Sequence, residues 1–177
     1  KMALNTRVLS VLGGALLLSA AAQAQTTYYI VEHIPYQNPA KVAERISNEC
    51  TELGSLFANT IAAEAKKRNL ALISSADAAN QPNRVEVVIT DVRSYGNAFT
   101  GHYKSVDIQV NRYTNGQPDG ETHISRRSTG GIGGAFKSSC SVLDRTTNTL
   151  SSDIVKWLQS QAASATAAEI TPVPATH

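Results

Sequence analysis

Two cysteines, four histidines and one glycine-rich stretch are the residues in this 177-residue chain whose types and spacing could do chemistry. The stretch Gly130, Gly131, Ile132, Gly133, Gly134, Ala135, Phe136, Lys137, Ser138 approaches the phosphate-cradling pattern GxxxxGK[ST]. Phe136 stands where the last glycine must let the backbone approach the phosphates, so nucleotide hydrolysis is not expected. Two readings remain. Backbone N–H groups of the four glycines, with Lys137 at a helix start, could hold an anion or a partner; otherwise the stretch is a plain connector.

Glu121 and His123 share one face of a strand, which is half of a metal or acid–base pair, and a surface cross-strand pair accounts for them equally well. His33 lies on an early strand, His102 in a Gly/aromatic loop, and His177 is the last residue. No GxSxG occurs, and no Ser/His/Asp set is picked out by spacing. No catalytic residue, metal ligand or cofactor is therefore expected. A metal-dependent hydrolase using Glu121, His123 and His102 stands as an alternative. Tyr95, Phe99, His102 and Tyr103 concentrate in SYGNAFTGHY, and aromatics beside glycines suit a partner surface.

Cys50 and Cys140 read according to compartment. Lys1 and Arg7 precede an apolar run from Val8 to Ala22, and Ala22-Gln23-Ala24 is a small-x-small site before Gln25. That is the layout of a secretory leader over 1–24, too short for the roughly 20 apolar residues of a membrane anchor. No cysteine follows the run, so a lipoprotein signal is not expected. The chain from Gln25 should be periplasmic or secreted, with no membrane span, and an oxidising compartment favours joining the two cysteines. Val42, Ile46, Cys50, Leu53, Phe57 and Ile61 form one helical stripe. Cys140, Leu143, Leu150, Ile154 and Trp157 form another, with Thr147 in the gap. A bridge between them closes a loop of about 90 residues and is worth roughly 2–4 kcal/mol.

The elements that must position these residues follow from pattern. A first strand is expected over 27–36. A helix starts at Asn38-Pro39 and runs to about Arg68, with Gly54 allowing close packing on a neighbour. Strands follow at 70–74 and 84–93, the second reading as central because both its faces are partly apolar. Val106, Ile108 and Val110 alternate with polar residues in a half-buried strand. Asn115-Gly116 and Asp119-Gly120 signal turns around Pro118, before a return strand over 121–128. A second helix over 141–160 is capped by Ser141 and Asp144. The result is one α+β domain over 25–160: a mostly antiparallel sheet of about five strands with two helices on one face, in the order βαββββα. The Ala/Thr/Pro tail, 161–177, is expected to be disordered.

VEVVITDVRSYGNAFTGHYKSVDIQV, the arginine-rich return strand, and GGIGGAFKSSCSVLDR before a helix closing on DIVKWL together resemble a group of bacterial cell-envelope proteins. Many of these are small lipoproteins with a strand–helix–strands–helix domain. The resemblance spans residues 28–160 and extends to the soluble domains of curli-assembly-type and transport-auxiliary lipoproteins. It implies a non-enzymatic envelope role and carries over no catalytic residue.

Sixteen Lys+Arg oppose fourteen Asp+Glu, and without Lys1 and Arg7 the two balance. Bulk charge thus argues against nucleic acid or anionic membrane as partner. The expectation is a non-enzymatic binding or assembly module whose partner is another envelope protein. A structural or stress-related secreted protein without a ligand is the other alternative.

Overall fold

The computed structural model describes residues 25–97, 101–129 and 139–169. In chain order it contains strand β1 (Tyr28–Ile30), a 3-10 turn at Pro39–Lys41, helices α1 (Glu44–Glu49) and α2 (Leu53–Lys67), and strand β2 (Leu72–Ser74). A second 3-10 turn at Ala78–Asn80 precedes strands β3 (Arg84–Asn97), β4 (Gly101–Thr114) and β5 (Gln117–Thr129), and helix α3 (Ser139–Glu169) closes the order. One five-stranded sheet results, ordered β2-β1-β3-β4-β5. β1 lies parallel to β2 and β3, whereas β3, β4 and β5 form an antiparallel meander. The class is α+β, and β3 is central as its two-sided apolar pattern requires. α2 and α3 pack on each other, α3 lies on β4 and β5, and α2 lies on β2.

The core is the covered face of this sheet. Val85, Val87, Ile89, Val106, Ile108 and Val110 are at most 2% exposed, and they meet Phe57, Ile61, Leu143, Leu150 and Ile154, all fully buried. Each of these side chains contributes roughly 1.5–3 kcal/mol by leaving water. Thr146, Thr147 and Ser151 are also buried. Their hydroxyls donate to the carbonyls of Val142, Asp144 and Thr147, so the polar stretch of the α3 stripe costs little.

Both helical stripes meet where expected. Cys50 and Cys140 form a disulfide with Cα atoms 5.5 Å apart. The helix carrying Cys50 is nevertheless not continuous over 39–68. Val42 is extended, and Cys50 closes α1 with φ −116° and ψ 45° before Glu52 opens α2. The i+4, i+3 spacing across the break keeps Ile46, Cys50 and Leu53 buried, so the stripe survives the interruption. Gly54 does pack closely. An added Cβ would lie 2.5 Å from the Ile34 carbonyl oxygen and 2.7 Å from the His33 ring, and Ile34 N donates to the Gly54 carbonyl at 3.2 Å.

Four further expectations change. The first strand is three residues long, because the chain leaves the sheet to bury Ile34 against Gly54 and returns only as an isolated bridge between Tyr36 and Ile89. The Gly/aromatic segment 94–103 is mostly ladder: Tyr95 opposes Tyr103, Gly96 opposes His102 and Asn97 opposes Gly101. Of the two expected turns only Asn115-Gly116 is one, with φ 53° and 80° matching the hairpin geometry that Asn-Gly favours. Asp119-Gly120 continues β5. An added Cβ at Gly120 would lie 3.2 Å from the Trp157 ring, so this glycine makes room for a helix. Pro118 fits the same strand because β5 is an edge. Finally, α3 begins at Ser139 and passes 160 to reach Glu169. Ser141 and Asp144 are therefore interior to it and form no capping box. Five alanines between Ala162 and Ala168 extend the helix, alanine having the highest intrinsic propensity. The leader expected over 1–24 and the segment 170–177 lie outside the described residues.

Candidate binding surface

Alternate residues of a strand point to opposite faces, so β3, β4 and β5 that bury valine and isoleucine on one side must present their intervening residues on the other. The register aligns Glu86, Asn111 and Glu121 in one row, and Val88, Gln109 and His123 in the next. Gln109 Nε2 donates to Glu121 Oε1 at 3.0 Å and to Asn111 Oδ1 at 3.4 Å. His123 Nε2 lies 3.1 Å from the same Glu121 oxygen. At the β1 side of this face Arg84 donates to Glu86 at 2.7 Å while its guanidinium covers the Tyr113 ring, 3.7 Å from the centroid. Arg93 pairs with Asp91 further along. At the far end Arg127 stacks over Tyr103 at 4.8 Å. The outward face thus carries a preordered network of amides, carboxylates and guanidinium groups, with an open hollow of about 430 Å³ over Gln109, Asn111, Tyr113 and Glu121.

The sequence-derived candidates distribute unevenly over it. Glu121 and His123 come together, but with side chains 57% and 66% exposed they form a solvated surface pair. His102 is seven residues along β4 from Gln109, the neighbour of His123, which places it about 20 Å away. The three residues named for a hydrolase do not converge. Among the described residues no group of three or more His, Cys, Asp or Glu side chains could hold a metal ion. Tyr95 and Tyr103 are opposed across the ladder at the end of the sheet where the glycine-rich stretch begins. Phe99, Gly130, Gly131, Gly133, Gly134 and Lys137 lie outside the described residues. The stretch has defined ends: Thr129 opposes Tyr103, and Cys140, in the first turn of α3, is tied to Cys50.

Sequence reasoning passed over three features. Arg112 continues the buried alternation of Val106, Ile108 and Val110, and its side chain is only 7% exposed. It donates to both carboxylate oxygens of Asp119, at 2.8 and 2.9 Å, and sits 5.9 Å from the Tyr28 ring centre. Its place in the alternation was the available signal. An open groove of about 650 Å³ runs between α2 and the β2 edge, lined by Gln25, Ala62, Lys66, Asn69 and the half-exposed Ile73. A smaller apolar hollow of about 190 Å³ lies among Val31, Pro35, Ala78, Ala79 and Val88.

Burial raises the Tyr36 phenol and the Asp144 carboxyl, and among the described residues the buried Tyr36 Oη and Asp144 Oδ1 have no hydrogen-bond partner. On α2, Arg68 and then Lys67 hold Glu64 below the usual carboxylate range. Asp153, bonded to Arg126 at 2.6 Å, raises that guanidinium and ties α3 to β5. Among the described residues no helix is long and apolar enough to cross a membrane.

No protein-family model and no curated protein matches the sequence. Among solved structures the chain is similar to the PelC dodecamer from Paraburkholderia phytofirmans, at 14% identity over 72% of this chain and 87% of that one, with a TM-score of 0.42. It is also similar to lipoprotein GNA1162 from Neisseria meningitidis, at 11% identity over 73% of this chain and 99% of that one, with a TM-score of 0.42. At these values the likenesses identify no residue of this chain.

Proposed function

We propose that the chain, after removal of residues 1–24, is a non-enzymatic binding or assembly module of the bacterial cell envelope, acting in the periplasm or outside the cell. It presents the outward face of β3, β4 and β5 to another envelope protein. The observation that carries this reading is the Asn111–Gln109–Glu121–His123 network, half-buried to exposed and held together by its own hydrogen bonds. Catalytic acid–base pairs work in water-excluding clefts, and Glu121 and His123 are open to solvent. A preordered polar sheet face instead suits a protein interface, where the ordering cost is met before the partner arrives.

The test is crosslinked capture from an envelope extract with mature protein, beside a Gln109→Ala, Glu121→Ala double variant. A partner retained by the wild type and lost by the variant supports the reading. Equal recovery by both removes the outward face from it. Recovery of nothing by either favours a structural secreted protein without a ligand, and chelator-sensitive hydrolysis by purified protein would replace both readings.

A further inference from the structure

Gln25 stands immediately after Ala22-Gln23-Ala24. It is exposed, and its side-chain amide is held: Nε2 donates to the backbone carbonyl of Asn69 at 2.6 Å. Asn69 ends α2 in the left-handed region, φ 55°, just before the chain turns into β2. Gln25 and Asn69 both line the groove beside the β2 edge.

We propose that Gln25, once it becomes the N-terminal residue, cyclises to pyroglutamate, with the Asn69 carbonyl assisting the departing nitrogen. The inference rests on leader removal after Ala24, as in the proposed function. An N-terminal α-amine has a pKa of about 7.7–8.0, so a fraction is uncharged and nucleophilic near neutral pH. Its nitrogen and Cδ belong to one residue, and closing the five-membered ring has the advantage of an intramolecular reaction. The α-nitrogen lone pair attacks Cδ and the carbonyl electron pair moves to Oε1. The carbonyl re-forms, the Cδ–Nε2 bond breaks, and Nε2 leaves as ammonia after taking up the proton released by the α-nitrogen. No oxidant, reductant or co-reactant is consumed.

The contact to Asn69 acts on the second half of this sequence. Before reaction Nε2–H is a neutral amide donor. As it becomes the protonated leaving group, the same bond turns charge-assisted and strengthens. An interaction stronger in the transition state than in the ground state accelerates the step. The product has lost the terminal positive charge beside the groove, along with its free amine.

Intact mass and tandem fragmentation of protein exported from its full-length precursor test the inference. The expected result is a chain beginning at residue 25, lighter by one ammonia, with the loss on the N-terminal peptide and abolished by Gln25→Ala. Location matters because Asn115-Gly116 can also lose ammonia through a succinimide, although there the attacking Gly116 N is engaged by the Pro82 carbonyl at 2.8 Å. A chain beginning at Gln25 with its ammonia retained overturns the cyclisation and leaves leader removal standing. Any other N-terminus overturns both. Conversion should be several-fold faster in native protein than in urea, and equal rates would remove Asn69 from the proposal.

Discussion

Ile108 and Gln109 are neighbours on β4, yet one is 1% exposed beneath α3 while the other joins a hydrogen-bond network open to water. The same contrast holds along much of β3, β4 and β5: one face is mainly aliphatic and covered, with Lys104 and Arg112 buried in it, and the other is mainly polar, with Val88 and Tyr113 among its residues. The covered face needs helices positioned on it, and the disulfide at the break between α1 and α2 fixes the start of one of them. The outward face needs nothing beyond the register of the strands. Stability and recognition can therefore be changed separately, one face at a time.

The largest effect belongs to the covered face. Ile108→Ala should lower unfolding free energy by ~2–5 kcal/mol in urea titration, through lost burial and the cavity left behind. A loss under ~1 kcal/mol would mean that the face is not packed as described. Removing the disulfide comes next. Cys50→Ser should cost ~2–4 kcal/mol, and the wild-type protein, alkylated without reduction and weighed, should show no modified thiol. Two alkylated cysteines would undo the placement of α1 against α3.

Gly54→Ala sharpens the comparison, because helix propensity favours alanine by about 1 kcal/mol. The new Cβ would press on the Ile34 carbonyl, a backbone atom that cannot turn aside. A net loss of ~1–3 kcal/mol is expected from this overpacking; a gain in stability would show that segment 31–35 does not lie on α2.

Asp144 gives a smaller effect with a defined sign. Burial raises its folded-state pKa above the ordinary value, so the folded protein holds this proton more tightly than the unfolded chain. Its contribution favours folding at low pH and is lost as pH rises through the raised pKa, where a partly desolvated carboxylate forms. Asp144→Asn should therefore stabilise the protein at pH 7 relative to pH 4, measured by paired urea titrations. An unchanged difference between the two pH values would contradict the burial of this carboxyl. The smallest effect falls on the outward face. Gln109→Ala should move stability by less than ~0.5 kcal/mol, as expected of a polar residue on the solvent face, and a larger loss would make the network part of the fold.

Much of this architecture was legible before any coordinates. Period-two alternation identified Val106, Ile108 and Val110, and period-3.6 stripes placed Cys50 and Cys140 on facing surfaces, because hydrophobic spacing reports which side of an element is buried. Glu121 and His123 were assigned to one strand face by the same parity. What local pattern could not report is what each face meets. Gly120 reads as a turn residue until Trp157 is seen against it, and Gly54 reads as a helix defect until Ile34 is seen to occupy its missing side chain.

The sequence by itself determined the order of elements, the sidedness of β4 and the placing of both cysteines on apolar helical stripes, all consequences of spacing along one chain. Tertiary structure alone decided that the Cys50 helix breaks, that β1 stops after three residues, and that His102 stands far from Glu121 and His123. The same is true of the buried Arg112, which finds Asp119 on β5, and of Gln25, which finds the Asn69 carbonyl. Contacts between residues distant in the chain are set by how packed elements share space, and no periodicity within an element encodes that.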